Sequence, residues 1–428
     1  LEGATFMKGL AIGLFLLNYI LLFRFPKKRA HIAIGFATLF IVLGLIPLNE
    51  VPQSIQWNAL MMLGGTMGLV SLFIESNMPA YLADVLIEKM PNVRWTLVGL
   101  SVFAGIISAF VDNVATVLMI APLVISFSKK IKMSPVIGMI SIAIFSNLQG
   151  AATLVGDTTS ILLGGYANLS FFDFFWLDGK PGLFFIVQAG TVGAALLLSW
   201  MFRKYTQPIQ ALERSHIESM FPSYLMISML GLLIINSLIP NSPSWSSGAI
   251  CIALFIIGVI KTMWDKKSLQ PLSFHLKNID GFTLLLLTGL FIMIGGLSYT
   301  GVIADLSSWF LSIGGSNVLL MFTLIVWISV FLSAFIDNIP YVASMLPVVG
   351  TIAISMNISP NLFYFGLLIG ATLGGNMSPL GASANVTAIG ILRQEGYHVE
   401  TKTYMKLGIP VTLVAVIIGY LLTLMIWQ

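Results

Sequence analysis

The sequence predicts an all-α polytopic membrane protein built from two inverted repeats, each with a re-entrant helical hairpin and a discontinuous helix. Three observations carry this prediction. Of 428 residues, 57% are hydrophobic and only 9% charged, whereas a soluble domain carries about 25% charged residues. Apolar runs near the length needed to cross a bilayer recur along the chain. A segment containing Ser-Ala-Phe-x-Asp-Asn occurs twice, at Ser108 and Ser333. The net charge of +4 comes without a basic stripe interleaved with aromatics, so nucleic acid is not an expected partner. Cys251 stands alone in an apolar run, which leaves no disulfide framework.

Taken in order, residues 1–29 form an N-terminal helix and basic loop. The apolar stretch 6–23 has no cleavage site after it, only Arg24, Lys27, Lys28 and Arg29, so it reads as a span or anchor; Met7 is the first residue suited to a start. Residues 30–201 form repeat 1, with spans at 30–48, 57–74 and 181–201. Between them lie a hairpin at 95–128, broken at Asp112-Asn113, and an interrupted helix at 134–166. A linker and connecting helix follow at 202–245; the charged part, 202–222, contains Pro208 and Pro222, and the apolar part runs 223–239. Repeat 2 occupies 246–428, with spans at 246–263, 281–297 and 407–428. Its hairpin lies at 317–356, broken at Asp337-Asn338, and its interrupted helix at 361–391. The hairpin limbs 95–111 and 114–127 are short for a complete crossing, whereas 317–336 is long enough to cross by itself. Segments 79–90 and 302–312 read as amphipathic connectors, and the aromatics of 171–176 as an interfacial belt.

Lys and Arg set the orientation. With 24–29 on the cytoplasmic side, and each hairpin returning to the side it entered, only Lys8 and Lys180 fall outside. The central linker and the ends of hairpin 1 are then cytoplasmic, and hairpin 2 opens from the opposite side, which inverts the repeats. At the same offset of 225, residues 147–160 fall on 372–385, matching Leu148 with Leu373, Gly150 with Gly375 and Gly156 with Gly381. Such internal symmetry marks transporter folds whose sites lie at the repeat interface.

The chemistry concentrates at the breaks. Of the acidic residues, Asp112, Asp157 and Asp337 lie well inside apolar segments, where one charge costs roughly 2.5–3.5 kcal/mol. No Lys or Arg lies in those segments, so the carboxylates are expected to hold protons, bind cations or meet helix ends in an Arg-free site. Asp112 and Asp337 also suit helix N-caps, one oxygen capping while the other faces an ion. Asn113 and Asn338 offer neutral oxygen ligands, which makes Asp112, Asn113, Asp337 and Asn338 a candidate Na⁺ site. Pro122 and Pro347 are expected to kink the outgoing limbs. Gly150, Gly156, Gly374, Gly375 and Gly381 are expected to let the interrupted helices unwind. Unwound backbone at membrane depth is tolerated only where it is buried or lines a cavity. Polar groups crowd there: Ser146, Asn147, Gln149, Thr153, Thr158, Thr159 and Ser160 in repeat 1; Thr372, Asn376, Ser378, Ser383 and Asn385 in repeat 2. Of these, Asn147, Thr153, Thr158, Asn376, Ser378, Ser383 and Asn385 join the candidate ion or substrate site. His31, His216, His275 and His398 lie near ends or in loops and suggest no metal set.

At these residues the chain resembles the ion transporter superfamily, which includes divalent anion/sodium symporters, arsenite permeases, NhaD-type sodium/proton antiporters and the melanosomal P protein. The divalent anion symporters carry Ser-Asn-Thr at each hairpin tip; here the tips read Asp112-Asn113-Val114 and Asp337-Asn338-Ile339, closer to the antiporter, arsenite and P-protein branches. The run Leu380-Gly381-Ala382-Ser383-Ala384-Asn385-Val386 is similar to the P-protein pattern. Gly156-Asp157-Thr158-Thr159-Ser160 lacks the Pro-Pro-Asn common in the family. The resemblance implies a homodimer with a scaffold part and a transport part that moves elevator-fashion.

The expected function is secondary active transport of a small inorganic or organic ion across the inner membrane, coupled to Na⁺ or H⁺ and needing no other cofactor, foremost as Na⁺/H⁺ antiport. Transport of a small anion or oxyanion such as arsenite, a dicarboxylate or citrate stands next, and a passive channel is the alternative outside that class. An enzyme is not expected: the Gly-x-Gly-Asp of intramembrane aspartyl proteases is absent, since Leu154-Val155-Gly156 precedes Asp157.

Overall fold

The computed structural model describes residues 2–209, 214–315 and 317–428. The expectations for Leu1 and for the middle of the linker, 210–213, lie outside the described residues.

The chain is almost wholly helical. α1 (Glu2–Arg24) leads through a 3-10 turn at Pro26–Lys28 into α2 (Arg29–Val42). The expected span 30–48 is not one helix. Gly44 adopts φ +70, its N–H donates to Ile41 O at 3.1 Å, and Leu45 N–H donates to Phe40 O at 2.9 Å. That is the glycine-dependent Schellman stop, and it ends α2 early. There follow α3 (Val51–Ser54), α4 (Trp57–Glu75), α5 (Met78–Glu88), α6 (Val93–Ser108), α7 (Asn113–Lys130), α8 (Val136–Gly150) and α9 (Thr158–Ala167). A two-stranded turn, β1 (Trp176–Leu177) with β2 (Lys180–Pro181), precedes α10 (Leu183–Met201). The aromatics here are not all an interfacial belt: Phe171 and Phe174 are buried, and only Phe172 and Trp176 face outward.

The second half contains α11 (Phe221–Leu238), α12 (Ser246–Lys266), α13 (Gln270–Asn278), α14 (Gly281–Tyr299), α15 (Val302–Gly314), α16 (Val318–Ser333) and α17 (Asn338–Ser355). α18 (Asn361–Leu368) loosens into a π-helical turn at Ile369–Leu373 and a 3-10 turn at Gly375–Met377 before α19 (Ser383–Gln394) and α20 (Thr401–Trp427). Among the described residues, nine helices are long and apolar enough to cross a membrane: α1, α4, α7, α10, α11, α12, α14, α17 and α20. α7 is one of them. Its 18 residues rise about 27 Å at 1.5 Å each, so the outgoing limb of the first hairpin is longer than the expected 114–127. The incoming limbs α6 and α16, with 16 residues each, are the shorter ones.

The two halves share local chemistry. α6 and α16 begin and end 225 residues apart, as do α7 and α17. Asn92 Oδ1 caps α6 by accepting from Trp95 N–H, and Asn317 Oδ1 caps α16 by accepting from Leu320 N–H. Pro122 and Pro347 sit inside α7 and α17. The halves also clasp each other, since α2 lies along α14 and α12 along α4. α8 is buried along nearly its whole length, and α6, α7, α10, α19 and α20 pack around it. Large apolar side chains such as Leu196, Trp264 and Met425 face outward on α10, α12 and α20, as expected of helices solvated by lipid.

Candidate functional site

Each hairpin turns at an aspartate that caps the outgoing helix. Asp112 Oδ1 accepts from Val114 N–H at 3.0 Å and Ala115 N–H at 3.1 Å. Asp337 Oδ1 accepts from Ile339 N–H at 3.2 Å. A carboxylate at a helix N-terminus satisfies otherwise unpaired N–H groups and meets the positive end of the macrodipole. Each interrupted helix is tied to its hairpin in the same way. Thr153 Oγ1 donates to Ala109 O, and Ser378 Oγ donates to Ala334 O. Gly156 and Gly381 permit the close approach: a Cβ on Gly156 would lie 2.8 Å from Ala109 O, and one on Gly381 would lie 2.4 Å from Ser333 O. Ser160 Oγ and Asn385 Nδ2 donate across the breaks to Gly150 O and Gly375 O.

A cavity of about 450 Å³ opens between these elements. First-turn residues of four helices meet on it: Asn113, Val114 and Ala115 of α7, Thr158 of α9, Asn338 and Ile339 of α17, and Ser383 and Ala384 of α19. Asp112, Asp157 and Asn147 complete its deep wall. Ser71, Glu75, Phe274, Asn278, Asp280 and Thr283, with the apolar Met67, Val70, Ile74 and Leu118, line the rest. Asp157 is 5% exposed; its Oδ1 accepts from Thr158 N–H at 2.8 Å and its Oδ2 from Thr159 Oγ1 at 2.7 Å. Among the described residues, no Lys or Arg pairs with Asp112 or Asp157. No three described His, Cys, Asp or Glu side chains converge on one metal point. Any cation here would be held by carboxylate, amide and hydroxyl oxygens, donors suited to hard ions.

The cavity gathers Asp112, Asn113, Asn147, Asp157, Thr158, Asn338 and Ser383 from the residues singled out in the sequence. It does not gather the others. Thr153 and Ser378 are consumed in the ties just described. Asn376 and Asn385 are fully buried, and their Oδ1 atoms accept from Asn147 Nδ2 at 2.8 and 2.9 Å. Asn147 Oδ1 in turn accepts from Asn113 Nδ2 at 3.1 Å, and Ser108 Oγ donates to Asn113 Oδ1 at 2.7 Å. Asn113 is therefore fully engaged in holding its own tip, whereas the Asn338 amide has no hydrogen-bond partner among the described residues. The expected glycine roles divide as well. Gly150 is the last residue of α8, where a Cβ would meet the Asn113 amide at 2.5 Å and Asp157 Cβ at 2.9 Å. Gly374 is still helical, and a Cβ there would strike Val330 Cα at 2.7 Å, so its smallness serves packing, not unwinding.

Asp337 departs most from expectation. Its Oδ2 accepts from Arg29 Nη1 at 2.8 Å, so the site region as a whole is not Arg-free. Asp337 lines a separate pocket of about 280 Å³ with Tyr19, Leu22, Arg29 and Pro340. Of the expected four-residue Na⁺ site, Asp112, Asn113 and Asn338 line the main cavity, the Asn113 amide being engaged with Ser108 and Asn147, and Asp337 lines the other pocket. Arg29 is remote in sequence from the hairpin, and no local spacing links it to Asp337.

The sequence reading also missed polar groups buried outside the cavity. His275 is fully buried, not in a loop: Ser71 Oγ lies 2.8 Å from its Nδ1, and Glu75 Oε2 lies 3.0 Å from its Nε2, outside hydrogen-bond geometry. Burial pushes its pKa below the ordinary histidine value, with Glu75 opposing and Lys266 reinforcing the shift. Asp84 of α5 is also buried and accepts from Ser215 N–H and Oγ, while Arg214 forks onto Glu88 and holds the Glu88 carboxyl below its ordinary pKa.

The sequence matches the citrate transporter family over residues 19–369 and, in a second overlapping match, 268–427. An uncharacterized transporter of Mycobacterium tuberculosis is 29% identical over 425 residues, covering 96% of this chain and 97% of that protein. The P protein of Sus scrofa is 25% identical, over 87% of this chain and 53% of its own length. Among solved structures, the YdaH transporter of Alcanivorax borkumensis superposes with a TM-score of 0.61 at 13% identity, covering 93% of this chain and 96% of that one. The match along nearly the whole chain, together with the helical membrane architecture, establishes that this protein belongs to the citrate transporter family and is a multi-pass membrane transporter.

Proposed function

We propose that the protein is a secondary active transporter in which Asp112 and Asp157 bind the coupling cation, Na⁺ or H⁺, and that its most direct activity is Na⁺/H⁺ antiport. One observation carries the reading: Asp112 and Asp157, with no Lys or Arg partner among the described residues, share one cavity at the hairpin tip, and Asp280 lines the same cavity. Helix ends satisfy one oxygen of each, through Val114 and Ala115 for Asp112 and Thr158 for Asp157. The remaining charge has no resident Lys or Arg to meet it among the described residues, and a mobile cation or proton supplies it. α13 contributes Phe274 and Asn278 to the cavity, Lys266 and Lys267 precede it and Lys277 lies in its last turn; by the positive-inside rule this side is cytoplasmic. In this reading the structure is the cytoplasm-facing state of an inner-membrane carrier. Its halves are inverted, its hairpins are re-entrant, and a transport part moves elevator-fashion within a homodimer.

A second reading has its own support. The family is described by citrate, and the unpartnered Asn338 amide and the first turns of α17 and α19 offer donors to a carboxylate. Cations at Asp112 and Asp157 would then neutralise the site for a small polycarboxylate. Flux in proteoliposomes separates these readings. Labelled Na⁺, citrate and arsenite are compared with and without a pH gradient, for wild type, Asp112→Asn and Asp157→Asn. Antiport predicts Na⁺ accumulation driven by the pH gradient and its loss in both variants. Flux that never exceeds equilibration would identify a channel, and wild-type flux in both variants would remove the carboxylates from the mechanism.

A further inference from the structure

We infer that Arg29 is a tethered counter-ion of Asp337, exchanged for the mobile cation during the transport cycle. The inference deepens the cation-coupled reading above and rests on it. In this conformation both Asp337 oxygens are taken, Oδ1 by Ile339 N–H and Oδ2 by Arg29 Nη1. Asp337 therefore already has a cation on its outward oxygen, the guanidinium of Arg29, while Asp112 and Asp157 have no Lys or Arg partner among the described residues. The side chains of the pair are 33% and 13% exposed, so water screens the pair only partly.

The pair joins two parts of the molecule. Arg29 begins α2, which lies along α14, and Arg29 Nε also donates to Leu22 O of α1 at 3.3 Å. Asp337 belongs to the hairpin of α16 and α17. Beside the pair, Tyr19 Oη donates to Pro340 O at 2.5 Å and lies 3.0 Å from Ser344 Oγ, so α1 and α2 grip this hairpin together. A hairpin that moves to expose its tip on the opposite side must leave Arg29 behind. Asp337 then stands in a poorly solvated place without a positive partner, and a cation or a proton must replace the guanidinium. On the return the guanidinium displaces that ion. Arg29 thus lets the empty protein come back without carrying a bare carboxylate, and the two acidic tips are loaded in different conformations, not together.

The test reads the hairpin directly. Ile336 lines the Arg29 pocket, so Ile336→Cys is made in a Cys251→Ser background and reconstituted in proteoliposomes. Labelling by an impermeant maleimide is timed from each side, with Na⁺ present or replaced by a large organic cation, and across pH. The Arg29→Gln version should label about tenfold faster, within the 5–150-fold span of ordinary coupling between sites. Its rate should also become dependent on Na⁺ or on pH, because an ion now takes the guanidinium's place. Arg29→Lys should behave as wild type, and Arg29→Gln should add nothing once Asp337→Asn is present. Labelling of the buried native Cys251 in an Arg29→Gln protein that retains it serves as the control for unfolding. A rate in Arg29→Gln that rises without dependence on either ion would reduce the pair to a structural link. An unchanged rate would remove Arg29 from the cycle. Neither result depends on the flux of Asp112→Asn, so this inference and the proposed function fail separately.

Discussion

The two hairpin tips carry the same Ser-Ala-Phe-x-Asp-Asn, yet the structure gives their aspartates and asparagines opposite employment. At the first tip Asp112 has an oxygen to spare, and Asn113 is tied down by Ser108 and Asn147. At the second, Asp337 is paired with Arg29, and Asn338 faces the cavity with no side-chain partner among the described residues. For the asparagines the cause lies one helix away. At the positions of Ser146 and Asn147, the second half has Ala371 and Thr372. Ser146 Oγ donates to Asn113 O at 3.0 Å and Asn147 receives the Asn113 amide, whereas Ala371 and Thr372 present neither group to Asn338. Ser333 instead donates to Ala371 O at 2.5 Å, and Thr372 pairs with Thr159 at 2.8 Å. The two hairpins keep matching boundaries, while these two differences change which asparagine amide remains available; the aspartates differ because Arg29 reaches only the second tip.

The largest expected effect breaks that asymmetry at the acids. Asp112→Asn should abolish cation-dependent stabilisation of the purified protein, read as the rise in Tm on adding Na⁺ or on protonation. Loss of a charged ligand worth about 3 kcal/mol weakens a site roughly 100-fold. Asp337→Asn should leave that stabilisation in place, because Arg29 already occupies Asp337 in this conformation. Equal loss in both variants would mean that the two tips are equivalent.

The asparagines should divide the other way. Asn113→Ala orphans Ser108 Oγ and the Asn147 carbonyl in a buried network, and leaving such groups unsatisfied costs about 2–3 kcal/mol. Asn338→Ala removes an amide with no protein partner and should cost less than about 1 kcal/mol of stability while changing ion selectivity or affinity. Thermal unfolding of both in the same detergent decides this. Where the halves are chemically alike, the effects should match. Thr153→Val and Ser378→Ala each remove one hydroxyl tie to a hairpin carbonyl and should each cost about 1 kcal/mol. A difference well above that between the two would show that the breaks are held by different means.

The sequence made this architecture legible because its signals are local. Apolar length, a repeated hexapeptide and glycines at a fixed offset are all read along one strand of text. They placed the hairpin breaks at Asp112 and Asp337 and the helix interruptions near Gly156 and Gly381. The stop of α2 at Gly44 was equally local, but an apolar run to Leu48 masked it. What stayed hidden depends on packing between distant segments. Arg29 meets Asp337 because the first half's α2 lies along the second half's α14. Thr153, Ser378, Asn376 and Asn385 stood out for polarity at membrane depth, yet depth alone cannot separate a ligand from a group that satisfies the backbone. His275 lay in an unpromising polar stretch, and only its burial against α4 gives it weight.

The smallest expected effect concerns that histidine. Burial depresses its pKa, so the folded protein binds its proton less readily than the unfolded chain. Stability should therefore rise with pH through the ordinary histidine range and fall as pH drops below about 6.5 toward the depressed value. Glu75 and Lys266 flank the ring and pull in opposite directions, and Asp280 lines the same cavity wall as Glu75, so the net slope is shallow. His275→Gln keeps an amide for Ser71 and removes the titration, so its Tm should lose most of the decline between neutral pH and pH 5.5 that wild type shows. An identical decline in both proteins would assign the acid sensitivity to the carboxylates of the cavity and leave α13 as a fixed wall.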